Sequence, residues 1–332
     1  MIKAGIIGTG VGMKHFEAIS GHRKSKVTCI LEKDKNKISK IKKKYKNLKI
    51  FSKEKDFFSY ENLNLVSIAS YDEFHYSQII KSIKKGFNVI VEKPICLNLT
   101  QLKNIYYLLK RNPKIKFTSN MVLRKNMLFN TIKKQINLKE IYYIDAGYLW
   151  GRKEKLFGWR SKTKNYSLTL GASIHIIDLV CWMLKLKPIK VFTKISNKIT
   201  KNTKFKKFSF VNYIFTFPND IIVNIKADGV CAHPHFHTLK IFEKNKTIIS
   251  EINGQLTIKK NKLNNLKILK TNYPYPDKKN RKKFIQEFLN SILDNKNIKG
   301  QTKEIIDVMS VCFYADLSAK KKQELNIKYL ND

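Results

Sequence analysis

Through the first third of the chain, short runs of β-branched and aromatic residues alternate with longer stretches whose apolar positions recur every three or four residues. Residues 3–7, 27–31, 49–51, 65–69, 88–91 and 115–118 read as strands. Between the fourth and fifth of these, residues 73–85 place Phe74, Ile79, Ile80 and Ile83 along one helical face, and Gly86 suits the position just past its end. Strands separated in this way by helices predict an α/β domain with a doubly wound parallel sheet, covering residues 1–120.

Beyond a linking helix at 125–136 the pattern changes to consecutive strand-like runs: 141–150, 191–195, 208–217, 221–227, 239–242, 247–252 and 256–258. One apolar helix at 168–184 interrupts them, and amphipathic helices at 277–293 and 303–320 follow. Strands in runs with segregated helices predict a second domain, residues 121–332, of the α+β kind with a large mixed or antiparallel sheet. No repeat at solenoid spacing is present.

Composition changes this picture in one respect. Lys plus Arg number 66 against 25 Asp plus Glu, a formal net charge of +41. Such a chain could bind polyanions by counterion release. Only Arg23, Arg111, Arg124, Arg152, Arg160 and Arg281 are arginines, however, and the lysines are scattered among Ile and Asn, as codon bias in an AT-rich genome would leave them. No nucleic-acid partner is therefore expected, although the field would favour acidic small substrates. Cys29, Cys96, Cys181, Cys231 and Cys312 are widely spaced, so neither a disulfide framework nor a metal site is expected. The opening MIKAGIIGTG lacks the features of a signal peptide, and the apolar stretch 168–184 carries His175 and Asp178, so no membrane association and a cytoplasmic location are expected.

The first strand runs into Gly8-Thr9-Gly10-Val11-Gly12, with a helix following from about Met13. In a Rossmann domain such glycines let the backbone approach a pyrophosphate at a helix N-terminus. The third glycine usual in G-x-G-x-x-G would stand at Met13 and comes one residue early, and a plain strand-to-helix turn is the alternative. Glu32, at the end of the second strand, is placed to accept hydrogen bonds from a ribose diol, favouring NAD, with NADP the alternative because Lys33 is adjacent. Read singly, Glu32 could equally be a solvated turn residue. At the end of the fifth strand, Glu92-Lys93-Pro94 puts an ion pair at the ligand edge of a parallel sheet, where Pro94 could fix the turn through a cis bond.

Gly5-Ile6-Ile7-Gly8-Thr9-Gly10 with His15, Ser67-Ile68-Ala69-Ser70 with His75, Glu92-Lys93-Pro94 and His175-Ile176-Ile177-Asp178 occur in an order that resembles the Gfo/Idh/MocA family of NAD(P)-dependent oxidoreductases. Tyr273-Pro274-Tyr275-Pro276-Asp277-Lys278, before a helix, also looks like that family's second domain. The resemblance implies cofactor contacts from the glycine loop, Ser70, His75, Glu92 and Lys93. It implies that Lys93 reaches the nicotinamide ribose and the substrate hydroxyl, and that His175 is the acid/base. Oxidising a secondary alcohol independently calls for a proton acceptor titrating near neutrality and positive charge where alkoxide develops.

Asp178 lies three residues after His175, where it could orient the ring, touch substrate or form an internal hydrogen bond. Trp159-Arg160 resembles a family pair that faces cofactor or substrate; Arg160 and Arg124 could each clamp an anion or be surface arginines. Many relatives carry an Asp four residues before the histidine, and Gly171 stands there, so His175 works with Lys93 alone or with a substitute such as Tyr166. Alternation of His233, His235 and His237 predicts one strand face, turned to substrate or subunit, with zinc the weaker alternative.

The expected activity is therefore hydride transfer between NAD(P) and a secondary alcohol or ketone of a sugar, cyclitol or sugar nucleotide. The substrate could be phosphorylated or nucleotide-linked, with a use in surface polysaccharide. A non-catalytic nucleotide sensor is the alternative. A homodimer or homotetramer is expected.

Overall fold

A computed structural model describes residues 1–163, 166–251, 254–262, 265–277 and 279–330. Ile252 and Lys278, which belong to segments singled out above, lie outside the described residues. The chain divides into two compact units, Met1–Val122 with Lys279–Ile306, and Leu123–Lys278 with Asp307–Asp332.

The first unit contains β1 (Ile2–Ile7), α1 (Gly12–Ser20), β2 (Ser25–Leu31), α2 (Lys35–Lys44), β3 (Lys49–Phe51), α3 (Glu54–Phe58), β4 (Leu65–Ile68), α4 (Asp72–Lys84), β5 (Asn88–Val91), α5 (Leu99–Arg111) and β6 (Phe117–Ser119). Its six strands are parallel in the order β3-β2-β1-β4-β5-β6. Every residue of β4 is buried, as a strand covered on both faces must be. Helix starts follow local chemistry: the Asp34 carboxylate accepts from Asn36 and Lys37 N–H, and the Asn98 side chain from Gln101 N–H. Strand order reverses between β2 and β4 beside β1, which is where a doubly wound sheet opens its ligand crevice.

The contiguous division at 120/121 needs a correction, because residues 279–306 return to the first unit. Ile285, Phe288 and Leu289 pack into one core with Ile2, Ala4, Ala18, Ile19, Leu65 and Ile90. That apolar face could have been buried by either sheet, and periodicity names the face without naming its partner.

In the second unit lie α6 (Met127–Gln135), β7 (Ile141–Leu149), α7 (Trp159–Lys162), α8 (Ile174–Leu184), β8 (Lys190–Ser196), β9 (Phe210–Thr216), β10 (Ile222–Asp228), β11 (Phe236–Glu243), β12 (Lys246–Ser250), β13 (Gln255–Lys262) and β14 (Asn265–Asn272). Helices α9 (Asn280–Leu293) and α10 (Lys299–Lys321) follow, then β15 (Leu325–Asn326). The strands form a mixed nine-stranded sheet, β14-β13-β12-β11-β7-β10-β9-β8-β15, in which β7 and β10 run parallel. Val211, Tyr213 and Phe215 of β9 and Val223, Ile225 and Ala227 of β10 are buried on one face. Alternate positions turn outward and include Ile214 and Ile222.

Strand β14 escapes sequence reading because lysines interrupt its apolar positions, and Leu266, Ile268 and Leu269 are exposed. Register with β13, from Gln255 opposite Asn272 onward, supplies the ladder that the pattern does not announce. The apolar stretch 168–184 is not one regular helix: Thr169–Ser173 forms a π-helical turn and α8 begins at Ile174. No disulfide joins the described cysteines. Among the described residues, no helix is long and apolar enough to cross a membrane.

Candidate functional site

In the first unit the turn after β1 is built around Gly8, whose φ of +83° places it in the left-handed region. A Cβ there would lie 2.7 Å from the Ala69 carbonyl oxygen, so the β1 and β4 ends approach only with glycine at this position. Gly12 lies against Ile6 and Ala69, where a Cβ would come within 3.1 Å and 3.3 Å. A Cβ at Gly10 would meet nothing within 4 Å, which leaves open space above the loop. Val11 stands at the N-cap of α1 without a capping side-chain bond, and Gly12 and Met13 begin the helix, so its first N–H groups suit an anion. The loop therefore fits a dinucleotide pyrophosphate, and the single-residue shift of the third glycine does not close the cradle. Gly8→Ala should weaken NAD binding by tenfold or more, to about the extent of ~1.4 kcal/mol per tenfold, as read by nicotinamide fluorescence titration; unchanged affinity would show that the turn tolerates a side chain.

Glu32 closes the far side of this loop. Its carboxylate accepts from Thr9 N–H at 3.1 Å, from the Thr9 hydroxyl, and from the N–H groups of Lys33 and Asp34 at 2.8 and 3.0 Å. Burial pushes the carboxyl up, but the Thr9 hydroxyl, the Asp34 N–H, Lys37 and the Lys33 N–H outweigh it and hold the group below the usual carboxylate range. Glu32 is thus a charged strut of the glycine loop, and a ribose diol would share it with Thr9. The Lys33 ammonium lies over the Phe74 ring, 5.4 Å from its centre.

The Lys93–Pro94 bond is cis. Two buried histidines hold the turn. His15 places Nε2 2.9 Å from a Glu92 oxygen, and its Nδ1 lies 2.7 Å from the Ser67 hydroxyl. His75 has Nδ1 2.7 Å from the Pro94 carbonyl and Nε2 3.1 Å from the Ser70 carbonyl. Fully buried, His75 ties the β4 and β5 ends together instead of presenting a ring nitrogen to a ligand. The Ser70 hydroxyl donates to Gln78 at 2.7 Å. Asn120 Nδ2 donates to Glu92 at 2.6 Å, and Arg281 approaches it at 3.5 Å. Burial pushes the Glu92 carboxyl up, but His15, Arg281 and Asn120 hold it well below the usual carboxylate range. Glu92, next to Lys93 in the chain, is an anchored anion.

In the second unit, α8 carries His175 and Asp178. The Asp178 carboxylate accepts from Arg124 Nε at 3.0 Å and Nη2 at 2.5 Å. The two residues expected to meet substrate separately therefore form a bidentate pair with each other. Gly171 is occupied from outside: a Cβ there would overlap the Tyr166 hydroxyl and ring edge. The buried phenol fills the space in which a side chain one helical turn before His175 would begin.

The π-helical turn feeding α8 is pinned by a polar chain that the sequence did not reveal. Thr169 donates to Asp316, and the Tyr213 hydroxyl lies 2.8 Å from the hydroxyls of both Thr169 and Ser173, donating its one hydrogen to one and able to accept from the other. Burial pushes the Asp316 carboxyl up to about 6 despite hydroxyls from Thr169 and Ser167. Its folded-state pKa lies above the unfolded value, so its contribution to stability is complete below the ordinary aspartate range and declines as pH rises to about 6. Asp316→Asn should gain stability relative to the parent across that window, as measured by denaturant melts at stepped pH; a pH-independent difference would contradict it.

Around His175 stands an aromatic cluster from β7, β11 and the segment before α9. Tyr148 stacks on His237 with ring centres 4.4 Å apart and an angle of 5°, and the His175 ring lies 6.4 Å from Tyr148 and 6.3 Å from His237. Tyr275 hydrogen-bonds His237 Nδ1. His237 lies on β11, but His233 and His235 precede it, so the three do not share a strand face. Among the described residues no group of three His, Cys, Asp or Glu could hold a metal. Burial, then the positive charge of Arg152, pushes His235 down to about 4; burial first, then the nearby rings of His235 and His175 and the charge of Arg152, push His237 well below its usual range. Both rings are neutral near pH 7. Arg160 lies over Trp159 at 4.4 Å and Trp150 at 5.2 Å.

Comparison with known proteins agrees with this construction. Residues 2–120 match the family model described as "Oxidoreductase family, NAD-binding Rossmann fold", and residues 132–249 match the "GFO/IDH/MocA C-terminal domain". An uncharacterized oxidoreductase of Synechocystis sp. is 22% identical over 54% of this chain and 50% of its own length. The chain spans about half the length of the curated relatives it matches. Scyllo-inositol dehydrogenase from Lactobacillus casei, solved with NAD(H) and scyllo-inositol, superposes with a TM-score of 0.83 at 18% identity, covering 98% of this chain and 99% of that one. UDP-N-acetylglucosamine 3-dehydrogenase from Acidithiobacillus ferrooxidans gives 0.80 at 15% identity, covering 97% and 98%. With both of its domains matched in order, and a glycine cradle built for a dinucleotide in the first, the chain belongs to the Gfo/Idh/MocA oxidoreductase family and carries its NAD-binding Rossmann fold.

Proposed function

We propose that the chain catalyses reversible hydride transfer between NAD and a secondary hydroxyl of a sugar, cyclitol or sugar nucleotide. The observation that carries this reading is the glycine turn at the end of β1, shaped for a dinucleotide, in the same unit as the cis Lys93–Pro94 turn after β5, whose Glu92 carboxylate is anchored by His15. When bound, the nicotinamide supplies the hydride acceptor. The protein's own groups do the rest. Lys93 places positive charge where the substrate oxygen becomes alkoxide, and His175 takes the proton from that oxygen. Neutral His235 and His237 leave His175 beside rings that do not compete for that proton at neutral pH. Tyr166, over Gly171, stands in for a carboxylate one turn before His175 and orders that face of the helix.

The test is a panel of cyclitols, free sugars and sugar nucleotides followed at the nicotinamide absorbance with NAD and with NADP. Turnover with NAD on at least one polyhydroxylated ring supports the reading; tight NAD binding with no turnover on any would favour a sensor. A role in building surface polysaccharide is the use such a substrate implies. Copies of the chain pair in the cytoplasm through the open face of the large sheet, where Tyr142, Ile214 and Ile222 are exposed. Light scattering that returns only a monomer at micromolar concentration would remove that last element.

A further inference from the structure

Three cations stand beside the His175 cluster, and Glu154, the one acid between them in the chain, forms an ion pair with none of them. After β7 ends at Leu149, the next residues carry Arg152, Lys155 and Arg160. Arg160 is spread over the faces of Trp159 and Trp150, its Nε is buried without a hydrogen-bond partner, and its Nη1 reaches only the Lys155 carbonyl, at 3.4 Å. Lys155 is exposed to solvent and lies within the field of Arg152 and Arg160. Arg152 also bears on Tyr148, His235, His237 and Tyr275, the rings that surround His175. Among the described residues none of the three cations has an ion-pair partner. Beside them His235 Nδ1 and His237 Nε2 are buried and unpartnered.

Gathering three unneutralised cations at a partly desolvated rim is unfavourable for the protein alone. Where a carboxylate is near, lysines elsewhere on this surface pair with it, as Lys81 does with Glu54 and Lys240 with Glu251. A single carboxylate on a ligand would leave two charges unmet. A phosphate dianion or a diphosphate matches the count, and guanidinium groups bind phosphate oxygens through parallel N–H bonds. Imidazole atoms without partners beside the rim suit the hydroxyls of a ring attached to that phosphate.

We propose that Arg152, Lys155 and Arg160 form a phosphate subsite, and that the chain acts on a phosphate-bearing sugar or cyclitol, whether a sugar phosphate or a nucleoside diphosphate sugar. The proposal rests on His175 as the acid/base of the reaction, because the rim adjoins the rings that contact it.

The experiment is calorimetric titration of the full chain with inorganic phosphate and, separately, with UDP, at low ionic strength. Parent protein is compared with the double variant Arg152→Gln/Lys155→Gln and with a control, Lys267→Gln/Lys270→Gln on exposed β14, that removes the same charge elsewhere. Saturable one-to-one binding by the parent, weakened about tenfold or more in the first variant and unchanged in the control, is the expected result. UDP binding much tighter than phosphate would identify the nucleotide-linked source, and equal affinities the sugar phosphate. In parallel, the His235 resonance of histidine-labelled protein should titrate at higher pH when phosphate is present, because the ligand neutralises the cations that depress it. No saturable binding by the parent, equal weakening in both variants, or loss of NAD affinity in the first variant in place of anion affinity would overturn the subsite. Turnover of neutral cyclitols without any anion binding would refute the subsite and leave the dehydrogenase reading intact. Anion binding lost in the first variant, with no turnover on any substrate, would do the reverse.

Discussion

Lys93→Met and His175→Ala should each lower NAD-linked turnover by about 10²–10⁴-fold while leaving NAD affinity within a few-fold of the parent, since both groups act on charge and protons that move during the reaction. The two losses have different signatures. Methionine at 93 keeps the aliphatic reach and removes the charge, so the deficit should fall on kcat at every pH. Alanine at 175 removes the proton acceptor, so the alkaline limb of the pH–rate profile should partly recover activity as hydroxide and buffer bases take its place. A conservative Lys93→Arg retains charge but not a compact ammonium, and should recover only part of the rate. Parent-like rates in both primary variants would remove these residues from the chemistry.

Arg124→Met should cost roughly 3–5 kcal/mol of stability, the largest single-residue loss anticipated for the second unit. Asp178 is 1% exposed and Arg124 11%, so removing the guanidinium strands a buried carboxylate. The companion variant Arg124→Met/Asp178→Leu should recover most of the loss, because replacing both partners of a buried pair by apolar side chains avoids the unpaired charge. Thermal melts of the two variants and the parent decide it. A small effect of Arg124→Met alone would mean that Asp178 is served well enough by other groups, and its pairing with Arg124 would lose its role in tethering α8 to the segment that follows the first unit.

Both predictions bear on what was legible beforehand. The glycine turn and Glu32 were read in one dimension because each depends on local backbone geometry at the end of a strand, whereas Lys93 and His175 were singled out by the family resemblance of the motifs that carry them. Asp178 and Arg124 were read as separate substrate contacts because fifty-four positions of chain separate them, and only packing brings the carboxylate to the guanidinium. Asp316, Thr169 and Tyr213 went unnoticed for a similar reason: single polar residues in apolar surroundings carry no periodic signal, yet they converge on the π-helical turn before α8. The histidine triplet was misread because alternation implies one face only while the backbone stays extended, and β11 begins at Phe236.

Sequence alone determined the alternating strands and helices of a parallel first domain, the strand-rich second half and the dinucleotide loop. These follow from periods of two and of about 3.6 residues and from backbone demands that only particular residues meet. Tertiary structure decided what distance along the chain hides. It sent residues 279–306 back to the first unit, set Tyr166 over Gly171, joined Arg124 to Asp178 and gathered Arg152, Lys155 and Arg160 beside neutral histidines. Each of those outcomes depends on which apolar face finds which partner and on where burial strips water from charge, and both are fixed only when the whole chain packs.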